Sequence, residues 1–384
     1  MKNNFRESIA EYTDRHRDEA IALLKTLGAI PAPSHHEDLR AEFVLSWLKN
    51  QGADHVYIDR AKNVVCEIGT AEHEQVVVFM AHTDTVFPDT EPLEVVEKDG
   101  KLFAPGIGDD TANLVNLLMG TKYLLEKKPK LSFGYVIAAN SCEEGLGNLE
   151  GCREIFRVFG RRVRYFYSFD RYIPECVNEA VGSCRYRIEV KTQGGHSWTD
   201  FGNPNAILVL NRILSDLAAI EFPGEGKTTC NVGRIEGGTS VNTIAENASA
   251  LYEFRSDRQE NLDYMKEEVQ KVFEKYQGDP SVQVHPEVIG VRPGTGAVNA
   301  EEMAAFTNAS REIIESYYDG KAVILPISTD ANIPLSLGIT ANTLGAVRGG
   351  GAHTRGEWIE LDSLAEGGKI VLACLMRFAG EECE

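Results

Sequence analysis

The chain has 384 residues, of which 43% are hydrophobic and 25% charged, and its formal net charge at pH 7 is -19. Its composition is typical of a globular protein, its length exceeds that of one compact core, and no apolar run is long enough to cross a bilayer. The acidic balance opposes contact with nucleic acid, whose phosphates require clustered Lys and Arg, so we expect neither a nucleic-acid nor a membrane partner.

The N-terminal segment, residues 1–27, is charged throughout and lacks the apolar core of a signal peptide. Its apolar spacing predicts an amphipathic helix, with Ile9, Ile21, Leu23 and Leu24 among the buried candidates. The eight cysteines are scattered and form no C-x-x-C pair, which argues against a zinc ribbon or a redox motif. We therefore expect a cytoplasmic protein with reduced, mostly buried thiols.

Between residues 30 and 180, strand-like and helix-like segments alternate, which is typical of a mainly parallel sheet flanked by helices. The first helix lies in "SHHEDLRAEFVLSWLKNQGA", where Ser34 and Glu37 have the spacing of a capping box and Gly52 marks the end. The strands "EQVVVFMAHTD", "LSFGYVIAANS" and "RYFYSFD" follow, separated by the helix "TANLVNLLMGTKYLLEKK" and a helix at 149–158. The fold class predicted is α/β.

The middle of the chain has a different pattern, in which apolar and polar residues alternate as in half-exposed antiparallel strands. Its order, strand–helix–strand–strand–helix–strand, predicts a small sheet with both helices on one face. The α/β pattern then returns. We therefore predict one domain formed by residues 1–178 and 294–384, with an inserted α+β domain at 179–293 and hinges near Glu179 and Val291.

Acidic and histidine side chains follow the predicted strands at their carboxyl ends, where open α/β sheets place their sites. A lone His-x-Asp or an acidic pair is more often structural or solvated, but several such ends in order indicate a metal site. Imidazole and carboxylate ligands without cysteine suit zinc, cobalt or manganese. The candidate residues are His82, Asp84, Asp109, Asp110, Glu143, Glu144, Asp170 and His353. The apolar strand that leads into His82 explains why His82 and Asp84 occur together, because residues two apart on a strand share a face.

These segments resemble those of the co-catalytic zinc aminoacylase and peptidase family, the M20-type metallopeptidases, over nearly the whole chain. The family includes tripeptidases, dipeptidases, glutamate carboxypeptidase and N-acyl amino acid deacylases. The motifs occur in the family's order: "HTDTVFP", "DD", "EE", "SFD" and "GGGAHT". The resemblance implies a di-metal catalytic domain with an inserted lid, two divalent cations, a small peptide or N-acyl amino acid as substrate, and a homodimer formed through the lid.

The resemblance also implies a role for each residue at the strand ends. Glu143 would be the general base, which takes a proton from water and passes it to the leaving amine. Asp84 would orient His82. The metal ligands implied are His82 and Asp170 for one ion, Glu144 and His353 for the other, and Asp109 as the bridge between them.

The double aspartate departs from the family's usual pattern, in which Lys-Gly often follows. Here Thr111 and Ala112 follow instead. Asp110 therefore stays an alternative to Asp109 as the bridging residue. Otherwise we interpret Asp110 as the N-cap of the helix "TANLVNLLMG".

Four further residues have two interpretations each. His196, in "TQGGHSW", matches a histidine that stabilises the oxyanion in a partner subunit's site, or it is a surface-turn histidine. Asn242 and Arg255 match positions near the substrate or the lid hinge, although Arg255 equally fits a salt bridge within the lid. Arg348 fits a substrate carboxylate or a plain surface position.

The substrate is indicated by Asp170, because the matching position is Asp in the family's aminopeptidases and dipeptidases and tends to be Glu in its carboxypeptidases and deacylases. This favours small peptides with a free amino terminus, and a deacylase or carboxypeptidase is the alternative. Asp330 and Asn332 fit either the polar end of a substrate or a helix cap. A metal-free binding protein would not need the complete set of site residues. "GIGDDT" lacks the third glycine of a nucleotide-binding loop.

Overall fold

The computed structural model describes the backbone of residues 3–379 and the side chains of residues 9–379. Contacts divide the chain after Glu179 and after Gly296 into two compact units. The first unit consists of the chain up to Glu179 and from Ala297 onward, and the second unit is Ala180–Gly296. Within the described residues, no helix combines the length and the apolar character that a membrane span requires.

From residue 3 to residue 180, the part of the first segment that the structure describes forms five helices and eight strands, together with a π-helical turn at Ile107–Thr111 and a short 3-10 turn at Gly145–Gly147. In chain order they are α1 (Asn3–Arg15), α2 (Arg17–Ala29), α3 (Asp38–Asn50), β1 (Val56–Ile58), β2 (Val64–Ile68), β3 (Val76–His82), β4 (Val96–Lys98), β5 (Lys101–Phe103), α4 (Ala112–Lys127), β6 (Gly134–Asn140), α5 (Glu150–Phe159), β7 (Val163–Phe169) and β8 (Glu175–Ala180).

The rest of the chain first forms the second unit and then returns to the first. The second unit contains β9 (Gly182–Thr192), β10 (Gly195–His196), α6 (Ala206–Ala218), β11 (Thr228–Gly237), β12 (Thr243–Ile244), β13 (Asn247–Ser256), α7 (Gln259–Tyr276) and β14 (Val282–Arg292). The return segment contains α8 (Ala300–Tyr317), β15 (Val323–Ile327), α9 (Asn332–Ser336), β16 (Thr340–Leu344), β17 (Gly349–Gly350), β18 (Trp358–Glu360) and α10 (Leu361–Met376).

The first unit is built on an eight-stranded sheet with the order β1-β2-β6-β3-β7-β16-β8-β15. Its centre is parallel, because β6, β3, β7 and β16 run in the same direction. Every residue of β3 and β6 is buried, and α4 packs on β3 while α10 packs on α4. Strands covered on both faces are nearly continuous apolar runs, which explains the sequence of β3. The predicted mainly parallel α/β fold is confirmed.

A second sheet of the first unit, with the order β17-β18-β5-β4, was not predicted from the sequence. β18 pairs with β5 so that Ile359 lies opposite Leu102, and both side chains are buried. The loop before α4 follows β5, and the loop between β17 and β18 holds residues 351–357. This small sheet therefore brings two segments together that are far apart in the sequence.

The second unit is a four-stranded antiparallel sheet with the order β11-β13-β9-β14. Helices α6 and α7 pack against it and against each other. Buried residues alternate along β13, as the apolar–polar alternation predicts. The order of strands and helices predicted for this part of the chain is confirmed.

The predicted capping box at Ser34 is wrong. α3 begins at Asp38, Glu37 occupies the N-cap position, and no side chain caps the helix. Ser34 instead donates a hydrogen bond to the carboxylate of Asp84 at 2.6 Å. The spacing of Ser34 and Glu37 is that of a capping box, but a buried carboxylate elsewhere in the fold takes the hydroxyl.

Candidate metal centre

Three neighbouring parallel strands deliver most of the candidate residues to one edge of the large sheet. β3 ends at His82, β7 ends one residue before Asp170, and β6 ends three residues before Glu143. In the sheet, β3 lies between β6 and β7. The carboxyl ends of parallel strands share an edge, where open α/β sheets place their sites. The strand order therefore accounts for the convergence.

His82 is buried, and its two ring nitrogens have different surroundings. Nδ1 lies 3.0 Å from the backbone carbonyl oxygen of Asp84 and 3.5 Å from the carboxylate of the same residue. Nε2 lies 3.1 Å from Oδ1 of Asp109. If Nδ1 of a neutral ring donates its proton to the carbonyl oxygen, Nε2 has no proton, and its lone pair faces the carboxylate oxygen of Asp109. Two lone pairs at this distance need a proton or a cation between them.

Asp109 faces two histidines, each through a different carboxylate oxygen. Oδ1 lies near Nε2 of His82, and Oδ2 lies 3.2 Å from Nε2 of His353. His353 Nε2 is also 3.1 Å from Oε1 of Glu144. The ligand atoms of His82, Asp109 and Asp170 lie within 4.8 Å of one another, and those of Asp109, Glu144 and His353 do the same. Asp109 is the member that these two groups share.

The donor sets fit divalent cations. Neighbouring ligands of a tetrahedral ion with bonds of about 2.0–2.1 Å are roughly 3.3 Å apart, close to the 3.1 and 3.2 Å that separate the histidine nitrogens from Asp109 and Glu144. Nitrogen and carboxylate oxygen are also the ligands of catalytic zinc sites. The described residues could therefore hold metal ions at both groups.

The carboxylate of Asp84 fixes the turn that carries Glu143 and Glu144. Its two oxygens accept the backbone N–H of Glu143 and of Glu144, each at 2.9 Å. Ser34 donates to the same carboxylate. Because Asp84 itself is buried, these bonds are shielded from water and set the direction of both glutamates. The carboxylate thus acts mainly on this turn, while the Asp84 carbonyl oxygen is the closer partner of His82.

Glu357 is a site residue that the sequence analysis missed. Its carboxylate is buried and accepts three backbone N–H groups of the loop before α4, those of Gly106 at 2.9 Å, Gly108 at 2.8 Å and Asp109 at 2.7 Å. Gly106 has a φ of 71°, and a Cβ there would overlap Thr85. The signal in the sequence was an acidic residue four positions after His353, directly before the apolar strand β18.

Arg40 is a second residue that was missed, and it is fully buried. Its Nε donates to the carbonyl oxygen of Ile30 at 2.8 Å, and its Nη1 donates to the carbonyl oxygen of Thr83 and the hydroxyl of Thr111. Burial lowers the pKa of Arg40 to about 10, although Asp84 opposes this shift. The guanidinium joins α3 to the segments that carry His82 and Asp109.

The pKa values of the acidic side chains at this centre are shifted, because these groups are buried close to one another. Burial, and after it the charge of Asp109, raises the pKa of Asp170 to about 7 and that of Glu357 to about 7. The same two causes raise the pKa of Glu144. Burial also opposes ionisation of Asp109, but His353 and His82 hold its pKa below the ordinary value. This cluster of carboxylates is where a cation would be favourable.

The interpretation of Asp110 as a helix N-cap is wrong. The N-cap of α4 is Thr111, which makes no side-chain capping bond. The buried carboxylate of Asp110 accepts the backbone N–H of His82 at 2.8 Å and the side-chain amide of Asn113 at 2.7 Å. Both oxygens are thereby used to anchor β3 and α4, and it is Asp109 that faces the histidine rings.

Arg348 makes its contacts outside the histidine and carboxylate cluster. Its guanidinium donates to Glu360 at 2.9 Å and also to Glu366. A substrate carboxylate would have to compete with these two partners, so the predicted role of Arg348 in binding stays a prediction.

Asp330 is buried, and its carboxylate accepts the amide of Asn140 at 2.6 Å. The predicted helix cap is absent, because α9 has no side-chain cap.

His196 and Asn242 lie next to each other on a two-stranded ribbon of the second unit. β10 pairs with β12, and Ser197 donates its N–H to the carbonyl oxygen of Asn242 at 3.0 Å. The exposed ring of His196 accepts backbone N–H groups of Trp198 and Thr199 on Nδ1, at 3.2 and 3.4 Å. A neutral ring with Nδ1 as acceptor carries its proton on Nε2.

Arg255 has partners within its own strand. Its Nε and Nη2 donate to the two carboxylate oxygens of Glu253 at 2.9 and 3.2 Å. This is a forked ion pair on β13. The salt bridge that the sequence offered as one interpretation of Arg255 is therefore present, and the alternative role near the substrate stays a prediction.

Comparison with other proteins gives curated relatives along most of the chain. The uncharacterised protein YqjE of Bacillus subtilis is 23% identical over 324 residues, which cover 82% of this chain and 84% of YqjE. The acetylornithine deacetylase of Myxococcus xanthus is 24% identical over 346 residues, covering 85% and 86% of the two chains. A succinyl-diaminopimelate desuccinylase of Bordetella parapertussis is 27% identical over 218 residues, covering 52% and 57%.

Solved structures share the fold at low sequence identity. A tripeptidase from Staphylococcus aureus superposes with a TM-score of 0.73 at 21% identity, covering 93% of this chain and 96% of the tripeptidase. The aminopeptidase PepT from Bacillus cereus gives a TM-score of 0.69 at 20% identity, covering 93% and 97%. The model of the peptidase family M20/M25/M40 matches residues 78–377. The chain therefore belongs to the peptidase family M20/M25/M40 and is a hydrolytic enzyme.

Proposed function

We propose that this protein is a dinuclear metallohydrolase that cleaves an amide bond of a small peptide with a free amino terminus. The observation that carries the proposal is the position of Asp109, whose Oδ1 faces His82 and whose Oδ2 faces His353. A carboxylate that offers one oxygen to each of two histidines has the arrangement of a bridge between two ions.

The remaining ligands divide between the two ions. Asp170 belongs to the group of His82, and Glu144 belongs to the group of His353. Zinc suits these nitrogen and oxygen ligands best, and cobalt and manganese are also compatible. When bound, two such cations polarise the substrate carbonyl and lower the pKa of the attacking water.

Glu143 is the proposed general base. Its backbone N–H is anchored by Asp84, and its side chain is buried. One of its oxygens lies within 4.8 Å of ligand atoms of His82 and Glu144, so it borders both groups. It takes a proton from the water that attacks the carbonyl carbon and gives it to the amide nitrogen as the C–N bond breaks. The products are a carboxylate and an amine.

The preference for a free amino terminus is supported by Asp170 as a ligand and by the fold shared with a tripeptidase and an aminopeptidase. A second candidate is removal of an acyl group from an amino acid by the same residues. It is favoured by two relatives, an acetylornithine deacetylase and a succinyl-diaminopimelate desuccinylase. Both reactions break an amide bond. They differ in the group next to the cleaved bond, which is a residue with a free amino terminus in the first reaction and an acyl group in the second.

The two candidates are separated by hydrolysis of a tripeptide with a free amino terminus and of its N-acetylated twin. Zinc- or cobalt-loaded protein is compared with the variant Glu143→Gln, which serves as the blank. We expect cleavage of the free tripeptide and little or none of the acetylated one. Preference for the acetylated substrate would move the assignment to a deacylase or carboxypeptidase.

A homodimer formed through the second unit, with His196 completing the partner subunit's site, is also proposed. The exposed ring of His196 supports this role, because its Nδ1 accepts two backbone N–H groups and leaves Nε2–H as a donor for an oxyanion. Asn242 lies beside it on the ribbon and is a candidate for contact with the same substrate.

Mixed dimers test whether His196 acts across subunits. The variants Glu143→Gln and His196→Ala are each expected to be nearly inactive. A mixed dimer contains one site with an intact Glu143 and an intact partner histidine, so co-expression restores about a quarter of the wild-type activity when subunits pair at random. Activity no greater than the sum of the separate variants would contradict action in trans.

A further inference from the structure

A second group of metal-binding side chains lies outside the residues assigned above. It consists of His35, Cys142 and Glu150, which we call the thiol cluster. They come from the loop before α3, the turn after β6 and the first turn of α5. One nitrogen, one sulfur and one carboxylate oxygen of the three residues lie within 4.8 Å of one another.

Two of the three distances between ligand atoms in the thiol cluster are close to the edges of a tetrahedral site. Sγ of Cys142 lies 3.3 Å from Nδ1 of His35, which lies 3.7 Å from Oε2 of Glu150. With a zinc–sulfur bond of about 2.3 Å and a zinc–nitrogen bond of about 2.0 Å, sulfur and nitrogen are roughly 3.5 Å apart in a tetrahedron. The nitrogen of His35 therefore lies at a suitable distance from both other ligand atoms, which are within 4.8 Å of each other.

A buried carboxylate already holds two members of the thiol cluster in place. Oε1 of Glu37 accepts the backbone N–H of His35 at 2.9 Å and that of Cys142 at 3.1 Å, and it lies 3.2 Å from Sγ. Glu37 is fully buried, and its Oε2 has no hydrogen-bond partner among the described residues. The carboxylate of Glu37 therefore fixes the backbone of two of the three proposed ligands.

Access and charge also suit an ion at this position. The side chains of His35 and Glu150 are 53% and 61% exposed, so an ion can enter from water, while Cys142 closes the buried side. A thiolate and a carboxylate together neutralise one divalent cation. Without an ion, the cluster has an ordinary explanation, in which the thiol donates to Glu37 beside His35, and Glu150 stands in the first turn of α5.

We propose that His35, Cys142 and Glu150 bind a third divalent ion of the zinc class, separate from the two proposed at Asp109. The Cys142 thiol loses its proton to solvent as the metal–sulfur bond forms, so the bound sulfur is a thiolate. Sulfur selects zinc and cobalt over magnesium, calcium and manganese. Because Cys142 directly precedes Glu143, an ion here fixes the turn that carries the proposed base.

Cobalt titration provides a test that does not depend on activity. The ligands proposed around Asp109 contain no sulfur, so a cobalt–thiolate charge-transfer band in the near ultraviolet cannot arise from the Asp109 centre. Full-length protein is freed of metal by chelation and titrated with Co²⁺ to a small excess over three equivalents. We expect the band to appear, and we expect its intensity at saturation to correspond to one thiolate-bound cobalt per chain.

Variants decide whether the cluster is the source of the band. Cys142→Ser is expected to abolish the band. His35→Ala and Glu150→Gln change exposed side chains, and each is expected to lower the cobalt affinity measured from the band at least tenfold. Cys152→Ser is the matched control, because this buried thiol lies on the same helix as Glu150 and donates to the carbonyl oxygen of Asp330. Its band should be unchanged.

Three results would overturn the proposal. They are the absence of a thiolate band in the wild-type protein at excess cobalt, a band that persists in Cys142→Ser, and a band whose cobalt affinity is unaffected by both His35→Ala and Glu150→Gln. The last result would mean that sulfur binds cobalt without the other two ligands. Loss of catalytic activity in any variant has no bearing on the outcome, so the test is independent of the proposed function.

Discussion

The carboxylate of Glu357 accepts the backbone N–H of Asp109 at 2.7 Å. It also accepts the N–H groups of Gly106 and Gly108, so it holds the whole loop that presents the Asp109 side chain. This contact links two segments about 250 residues apart in the sequence. Because the three N–H groups are satisfied by one buried carboxylate, the direction of Asp109 depends on a residue that is not itself a proposed ligand.

Replacing Glu357 with Gln should weaken metal binding. An amide has one acceptor oxygen in place of two, and its NH₂ group faces a backbone donor, so the loop loses at least one hydrogen bond and Asp109 its fixed direction. We expect metal affinity at the Asp109 centre to fall about 10- to 100-fold, measured by competition with a chromophoric chelator. Glu360→Gln, three residues later at the end of β18 and with its carboxylate on Arg348, is the control and should bind normally.

The sequence was sufficient for the parallel sheet and for the residues at its strand ends, because periodicity and strand order are local signals. It was insufficient where a side chain bonds to a distant segment. Ser34 has the spacing of a capping box, but it donates to Asp84. Asp110 has the position of an N-cap, but it accepts the N–H of His82. Glu357 belongs to the same class of long-range contact.

The small sheet around β5 and β18 was missed for a related reason. Its strands contain only two or three residues each, which is too short for a recognisable alternation. Arg40 was missed because a charged residue within an amphipathic helix is normally exposed. Here its partners are backbone carbonyls and a hydroxyl from elements that only the tertiary fold brings near.

Replacing Asp84 with Asn should lower kcat while leaving the protein folded. One of the two backbone N–H groups, of Glu143 or of Glu144, would then face an NH₂ group, so the turn would lose a hydrogen bond and the proposed base its position. We expect a fall of roughly tenfold or more, since leaving one buried donor without an acceptor costs about 1–3 kcal/mol. Ser34→Ala removes a neutral donor to the same carboxylate and should have a smaller effect. The reverse order would contradict this account of the turn.

Replacing Glu143 with Gln should abolish turnover but preserve metal content. Gln cannot accept a proton, so the rate should fall about 10²- to 10⁴-fold, while the metal content per chain, measured by elemental analysis, stays that of the unmutated protein. The control is Glu312→Gln, which changes an exposed side chain on α8. A variant that loses its metal together with its activity would indicate that Glu143 is a ligand and not the base.

The metal-free protein should become less stable as the pH rises through neutrality. Burial and Asp109 raise the pKa of Asp170 and of Glu357 to about 7. A carboxyl group whose folded-state pKa lies above its unfolded value of about 4 stabilises the fold at low pH, and that contribution is lost as the pH rises toward 7. Asp109 and Glu144 raise the pKa of His353 to about 10, and its contribution is lost on rising from about 6.5 to 10.

Thermal unfolding in a chelator measures this dependence. We expect the Tm to be lower at about pH 8 than at about pH 6, and we expect bound metal to reduce the difference, because cations replace the protons. Asp170→Asn removes one of the titrating groups and should flatten the curve. A Tm that rises over this range in the chelator, or a curve unchanged by Asp170→Asn, would contradict the assignment of these shifts.

Anomalous diffraction from zinc-loaded crystals would show directly whether Asp109 bridges two divalent ions. We expect two anomalous peaks about 3.5–4 Å apart, one beside His82 and Asp170 and the other beside His353 and Glu144, with the carboxylate of Asp109 between them. A single peak at this centre, or two peaks that do not share Asp109, would contradict it.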